Sequence, residues 1–262
     1  MPVSTSTGPV PPGTDRGSVL GRLALVELRL FVRERVGPVF AVGLPLALLV
    51  VFGNIPYYNQ RRAGFGGLTL LDVYVPILAA FVLATLSFNV VPVVLAGYRD
   101  KGVLRRMRTT PVGPARVLAA QLLVNLATAA VSVAALLLVA RLAFGVPLPR
   151  QAGGYLVGIV LAALALVAIG LFVVAVSPDG RVANAVGAAL FYGLMFFAGL
   201  FLPMAAMPPV LRNVSRFTPL GAAVQALSDA TQGHWPHPLQ IVALAGYAAV
   251  FGAGAVKWFR WE

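Results

Sequence analysis

Between Tyr98 and Arg116 the chain reads Tyr98-Arg99-Asp100-Lys101-Gly102-Val103-Leu104-Arg105-Arg106-Met107-Arg108-Thr109-Thr110-Pro111-Val112-Gly113-Pro114-Ala115-Arg116, and six of these residues are basic. Clustered guanidinium groups suit two kinds of chemistry. They form paired, charge-assisted hydrogen bonds to carboxylates on another protein, or they hold a segment against anionic lipid at roughly 1 kcal/mol each. The spacing is that of a short helix with a clean stop. Gly102 precedes the apolar-basic run 103–107, and Thr110-Pro111 ends it, because a residue before proline is pushed out of the helical region. The run therefore presents Leu104, Arg105, Arg106, Met107 and Arg108 together. A docking surface and a lipid-binding, orientation-setting segment are both open at this point.

The other polar residues offer less chemistry. Gln121, Asn125, Thr128 and Ser132 fall at i, i+4, i+7 and i+11, one face of a helix. In lipid that face must look inward, toward a substrate path, a dimer mate or hydrogen bonds between helices, which are worth about 0.6 kcal/mol each. Asp72, Gln225 and Asp229 are candidates for contacting a cation, with satisfied interface groups the plainer reading. Ala245, Ala249 and Ala253 form a small-residue stripe suited to close helix packing. His234 and His237 flank Trp235-Pro236 in what reads as a loop, and two histidines make a poor metal site. With no cysteine in the chain, neither a disulfide framework nor thiol chemistry is available. No G-x-x-x-x-G-K-[ST] loop is present to cradle nucleotide phosphates, so the sequence predicts no catalytic residue, metal or cofactor of its own.

The elements that hold these residues are set by composition. Of 262 residues, 59% are hydrophobic and only 11% are charged, against about 25% charged in a soluble domain. A spanning helix needs about 20 mostly apolar residues, and six windows qualify or nearly do: 36–53, 73–96, 117–140, 155–176, 183–202 and 239–256. The expectation is an all-α membrane protein with six transmembrane helices. Net charge is +12, but the cations flank apolar windows, so orientation in a membrane explains them better than nucleic acid. With the N-terminus inside, 14 Lys and Arg residues fall on the inner side and six on the outer. That bias predicts a multi-pass plasma-membrane protein with both termini cytoplasmic.

Three further segments complete the reading. Residues 1–17, rich in Pro, Ser, Thr and Gly, are expected to be a disordered cytoplasmic tail and lack the apolar core of a signal peptide. Residues 18–35 carry an apolar stripe of Val19, Leu23, Val26 and Leu30 beside Arg22, Arg29 and Arg33, which predicts an N-terminal interfacial helix. The alternative is that this helix simply extends the first span. Residues 203–233 are broken by prolines into pieces too short to span, which predicts an outer re-entrant or interfacial segment after the fifth helix.

Two stretches, in order and in this hydropathy frame, resemble the membrane subunit of ABC-2 type ABC transporters. Gly102 to Val112 is similar to that family's G-x-L-x-x-L-x-x-T-P connector after the second span, with Met107 in place of the commoner Leu and Arg99-Asp100-Lys101 where a Glu is usual. Gly199-Leu200-Phe201-Leu202-Pro203, continuing through Pro208 to Thr218-Pro219-Leu220, is similar to the family's Gly-x-x-x-Pro run. The resemblance implies a half-transporter of residues 18–262 that works as a dimer with itself or a related permease. It would couple to separate ABC ATPase subunits that bind ATP and Mg. The connector, 97–116, would carry the coupling helix, with Gly102, Leu104, Arg105, Arg106, Met107, Arg108, Thr110 and Pro111 as its contact residues. Gly199, Pro203, Pro208 and Pro219 would shape the outer re-entrant hairpin. The nearest members are similar to multidrug, antibiotic-resistance and natural-product exporters, which implies an amphipathic substrate. An ion-gradient-driven secondary transporter and a non-transporting membrane scaffold are the alternatives. The first is disfavoured because no Asp, Glu or His falls near the middle of a window.

Overall fold

The computed structural model of the chain describes residues 42–61, 67–100 and 114–258. The tail 1–17, the segment 18–35 and the contact residues 102–111 of the connector lie outside them.

All named elements are helical. They are α1 (Leu44–Asn54), a 3-10 turn (Pro56–Asn59), α2 (Leu70–Thr85), a π-turn (Leu86–Val90), α3 (Val91–Asp100), α4 (Pro114–Phe144), α5 (Ala152–Val176), α6 (Gly180–Ala198), a 3-10 turn (Met204–Ala206), α7 (Pro209–Phe217), α8 (Pro219–Gln232) and α9 (Pro238–Trp258). Five helices are long and apolar enough to cross a membrane: Leu70–Tyr98, Leu122–Phe144, Ala152–Val176, Gly180–Ala198 and Pro238–Trp258. They match five of the six expected windows. In the remaining window, 36–53, the described part is the 11-residue α1, about 16 Å long at 1.5 Å per residue and short of the hydrocarbon thickness.

Local chemistry sets the helix ends. Thr69 and Asp72 form a reciprocal capping box at the start of α2, with Asp72 N–H donating to Thr69 Oγ1 at 3.1 Å and Thr69 N–H to Asp72 Oδ2 at 2.9 Å. Such caps satisfy amide groups that the first turn leaves free. Asp179 caps α6 through the Val182 amide at 2.8 Å, and Thr218 caps α8 through the Gly221 amide at 3.1 Å. Prolines open α7, α8 and α9, where a missing N–H costs nothing. Gly199 and Gly233 close α6 and α8 with φ of 93° and 96°, a left-handed conformation that glycine adopts without strain. The cap at Gly199 ends the sixth helix at Ala198, short of the expected Leu202.

The rod α2–π-turn–α3 and helix α5 are the bundle's centre. Helix α5 packs along α9 and α8 and also meets α2, α3, α4, α6 and the π-turn. Two apolar blocks result. The larger gathers α2, the π-turn, α4, α5, α6 and α8 around residues such as Leu78, Leu136, Leu166, Met195 and Leu227. The smaller joins Val91 and Leu95 of α3 to Val167, Leu171 and Val174 of α5, Ala183 of α6 and Ala255 of α9.

Candidate functional site

A π-turn in the middle of a membrane span needs a cause, and the sequence supplies one in Pro92. In a regular helix the amide of residue 92 would bond the carbonyl of Phe88. Proline has no N–H, and its ring crowds the carbonyl four residues back. The chain widens instead, and the Val91 amide reaches back to Leu86. The carbonyls of Ser87 and Phe88 thereby lose their regular donors at membrane depth, where an unsatisfied carbonyl is costly.

Two glycines from neighbouring helices meet these two carbonyls. A methyl group placed on Gly170 of α5 would lie 2.2 Å from Ser87 O, and one placed on Gly187 of α6 would lie 2.3 Å from Phe88 O. Either distance is impossible for a real side chain. Glycine lets the backbones touch, so that each carbonyl faces a Cα–H rather than lipid. The rod is thus keyed into α5 and α6 at one level.

The hydroxyls around this level close on their own helices. Thr85 donates to Phe81 O at 2.9 Å, Ser87 to Leu83 O at 2.8 Å, Thr128 to Val124 O at 2.8 Å and Ser132 to Thr128 O at 2.7 Å. Asn125, Thr128 and Ser132 are all buried within the single chain. The face read from their spacing therefore looks inward, covered by the chain's own helices. The hydroxyls of Thr128 and Ser132 are satisfied by i−4 backbone carbonyls, not by the interhelical bonds that the sequence suggested as one option. The side chain of Gln121 is outside the described residues. Tyr155 alone among the described residues has a buried side-chain oxygen without a partner.

The connector leaves the bundle at the C-terminal end of α3 and re-enters at Pro114. At that same end lies the turn between α5 and α6. A methyl on Gly180 would meet the Ala96 side chain at 2.6 Å, so the start of α6 rests directly on α3. A cavity of about 580 Å³ opens here between Val93, Ala96 and Gly97 on one side and Asp179, Gly180, Arg181 and Asn184 on the other.

At the opposite end, the residues 203–233 form the 3-10 turn, α7 and α8. Pro203 and Pro208 are extended residues that start the 3-10 turn and α7, and Pro219 is the first residue of α8. Ser215 on α7 is fully buried and donates to Phe197 O at 2.5 Å. Tyr247 of α9 donates to Phe217 O at 2.7 Å, so α7 is tied to both α6 and α9. Helix α8 is buried along most of its length and packs against α5, α9, α2 and α6. Gln225 of α8 donates weakly to Met204 Sδ at 3.6 Å and accepts from Gln240 Nε2 at 3.5 Å, while Gln240 Oε1 takes the His237 amide at 2.7 Å. Gln225 is thus engaged in packing α8 to its neighbours, and Asp72 caps its own helix. The described Asp72, Asp179 and Asp229 all stand at or near helix ends. Among the described residues no group of three His, Cys, Asp or Glu could hold a metal ion.

Sequence reasoning missed the capping box, although Thr69-Leu70-Leu71-Asp72 before an apolar run is its signature. It missed the π-turn as well, for which Pro92 was the signal.

The family model described as ABC-2 type transporter matches residues 20–231. No curated protein matches the chain.

Proposed function

Since the chain belongs to the ABC-2 type transporter family and is a multi-pass permease component of such a transporter, we propose that it is the membrane half of an ATP-driven exporter, coupled through residues 102–111 to a separate ATPase subunit. Two copies, or one copy and a related permease, would enclose the path of an amphipathic drug, natural product or lipid-like substrate. Both termini and the connector would be cytoplasmic, residues 36–53 would supply the first of six spans, and residues 203–233 would cover the outer end as a re-entrant segment.

One observation carries the coupling reading. The connector is continuous with the two helices best placed to receive force, α3 and α4, and the rod that ends in α3 is keyed to its neighbours: the π-turn carbonyls of Ser87 and Phe88 meet Gly170 of α5 and Gly187 of α6, and Ala96 of α3 meets Gly180 of α6. A push on the connector would therefore reach three spans through contacts that cannot slip past a side chain. Arg105, Arg106 and Arg108 are suited to pairing with carboxylates on the ATPase. ATP and Mg would be held by that partner.

Co-expression with the cognate ATPase tests this. Replacing Arg105, Arg106 and Arg108 together by Glu should abolish co-purification and lower substrate-stimulated ATPase activity by at least about tenfold, the equivalent of 1.4 kcal/mol. An intact complex with an unchanged ATPase rate would overturn the coupling assignment. Topology is checked by single cysteines at Gly64 and Lys101, which should label from opposite membrane faces.

A further inference from the structure

The bundle end away from the connector holds a second cavity, of about 530 Å³, between the start of α2, the α4–α5 loop and the end of α8. Its volume falls in the range of small-ligand sites, about 300–1,000 Å³. Its wall is divided. Val73, Pro76 and Pro147 give an apolar side, while Arg61, Asp72, Arg150, Ser228, Thr231, Gln232 and His234 give a polar one.

Both arginines are held in place by backbone. Arg61 pairs with Thr69 in an isolated antiparallel bridge, which fixes it beside the first turn of α2. Arg150 precedes Gln151, whose amide donates to Ala230 O at 3.0 Å, and its stem lies 3.5–3.6 Å from the site where Gly233 lacks a Cβ. Neither guanidinium has a hydrogen bond or ion pair among the described residues. The Asp72 carboxylate also lines the cavity and accepts the Thr69 amide through Oδ2, so the lining carries two cations against one anion. The cavity therefore sets two cations on backbone-anchored residues, against one carboxylate, with several hydrogen-bond donors over an apolar wall.

We propose that this cavity binds an anionic phosphate, carried by a lipid headgroup or by a soluble phosphate compound. The planar fork of a guanidinium group can donate two parallel hydrogen bonds to a pair of oxygens of a tetrahedral phosphate. Ser228, Gln232 and His234 add donors, and Val73 and Pro76 face the less polar part of the ligand. The assignment is independent of the coupling reading, because none of its residues belongs to the connector.

The test uses the full chain in lipid nanodiscs, with Trp258→Phe and Trp261→Phe leaving Trp235, next to His234, as the only one of three tryptophans. Phosphatidylglycerol and phosphatidylcholine with brominated acyl chains are compared as quenchers of Trp235 at equal mole fraction. If the source is lipid, phosphatidylglycerol quenches at a lower mole fraction, and Arg61→Gln with Arg150→Gln weakens that preference by about tenfold, as expected for lost charge-assisted contacts. If the source is soluble, the two lipids quench alike, but inorganic phosphate raises the melting temperature of the parent and not of the double variant. Should the double variant fail to fold, the parent decides. Its response must fade as ionic strength rises from about 0.01 M to about 1 M, where the screening length drops from about 30 Å to about 3 Å. A parent with no lipid preference and no phosphate response, or with responses indifferent to the double variant or to salt, overturns the proposal.

Discussion

Helices α5 and α9 lie side by side in the broadest contact of the bundle, are both long and apolar enough to cross a membrane, and are used in opposite ways. Within its most apolar stretch α5 is 72% buried, while α9 is 22% buried. Helix α5 meets α2, α3, α4, α6, α8, α9 and the π-turn and is notched by Gly154, Gly158 and Gly170, each of which admits a neighbour too close for a side chain to fit without displacement. Helix α9 commits one face to α5 and leaves Val242, Val250 and Val256 uncovered. In water such a difference would separate a core from a surface. In lipid, where acyl chains are as apolar as valine, burial alone drives little, and what separates the two helices is shape.

The sharpest way to break that distinction is at the glycines. Gly170→Val should abolish recovery of a monodisperse protein in fluorescence-detected size-exclusion chromatography, since its side chain would strike the Ser87 carbonyl. Overpacking of this sort costs about 1–3 kcal/mol or more. Gly193→Val, in α6 where nothing lies within 4 Å, should leave recovery unchanged. Equal behaviour of the two variants would remove the keying argument. A step smaller, Leu166→Ala at a fully buried position of α5 should lower stability by about 2–5 kcal/mol, whereas Leu142→Ala, which is 76% exposed on α4, should change it by less than about 0.5 kcal/mol. Thermal melts in nanodiscs compare them. Thr218→Ala should cost about 1 kcal/mol through loss of the α8 cap, with Thr218→Ser restoring it. A smaller effect than loss of that cap is expected at Ser132, where Ala should cost about 0.6 kcal/mol or less, because the hydroxyl bonds only its own helix.

The contrast between these helices also marks where the sequence could be read. Hydropathy located the five long helices to within a few residues, because the thickness of a bilayer sets a length that apolar runs must meet. The short helices α7 and α8 were legible from Pro208-Pro209, Thr218 and Pro219, since proline and cap chemistry act locally. The inward turn of Asn125, Thr128 and Ser132 followed from the cost of polar groups in lipid, but their bonding partners did not, because a hydroxyl on a helix can bond its own backbone or a neighbour and only the neighbour's position decides. Gly170 and Gly187 carried no pattern along the chain. Their role exists only once Pro92, about 80 to 100 residues away in sequence, has displaced the carbonyls they cover, and long-range coincidence of this kind leaves no periodic trace. The connector's arginines announced a contact by charge but not what they touch, for the partner's groove is written in another chain.

The π-turn has a geometric effect beyond the contacts it makes. Each residue inserted into a helix turns everything beyond it by about 100°, so the stretch below Val90 presents a different set of side chains to its neighbours than an unbroken rod would. The division of the apolar core falls at that junction: residues through Val90 belong to the larger block, and Val91 begins the smaller one. The molecule is in this sense two stacked storeys joined at a swivel, and the storey attached to the arginine-rich connector has its own walls.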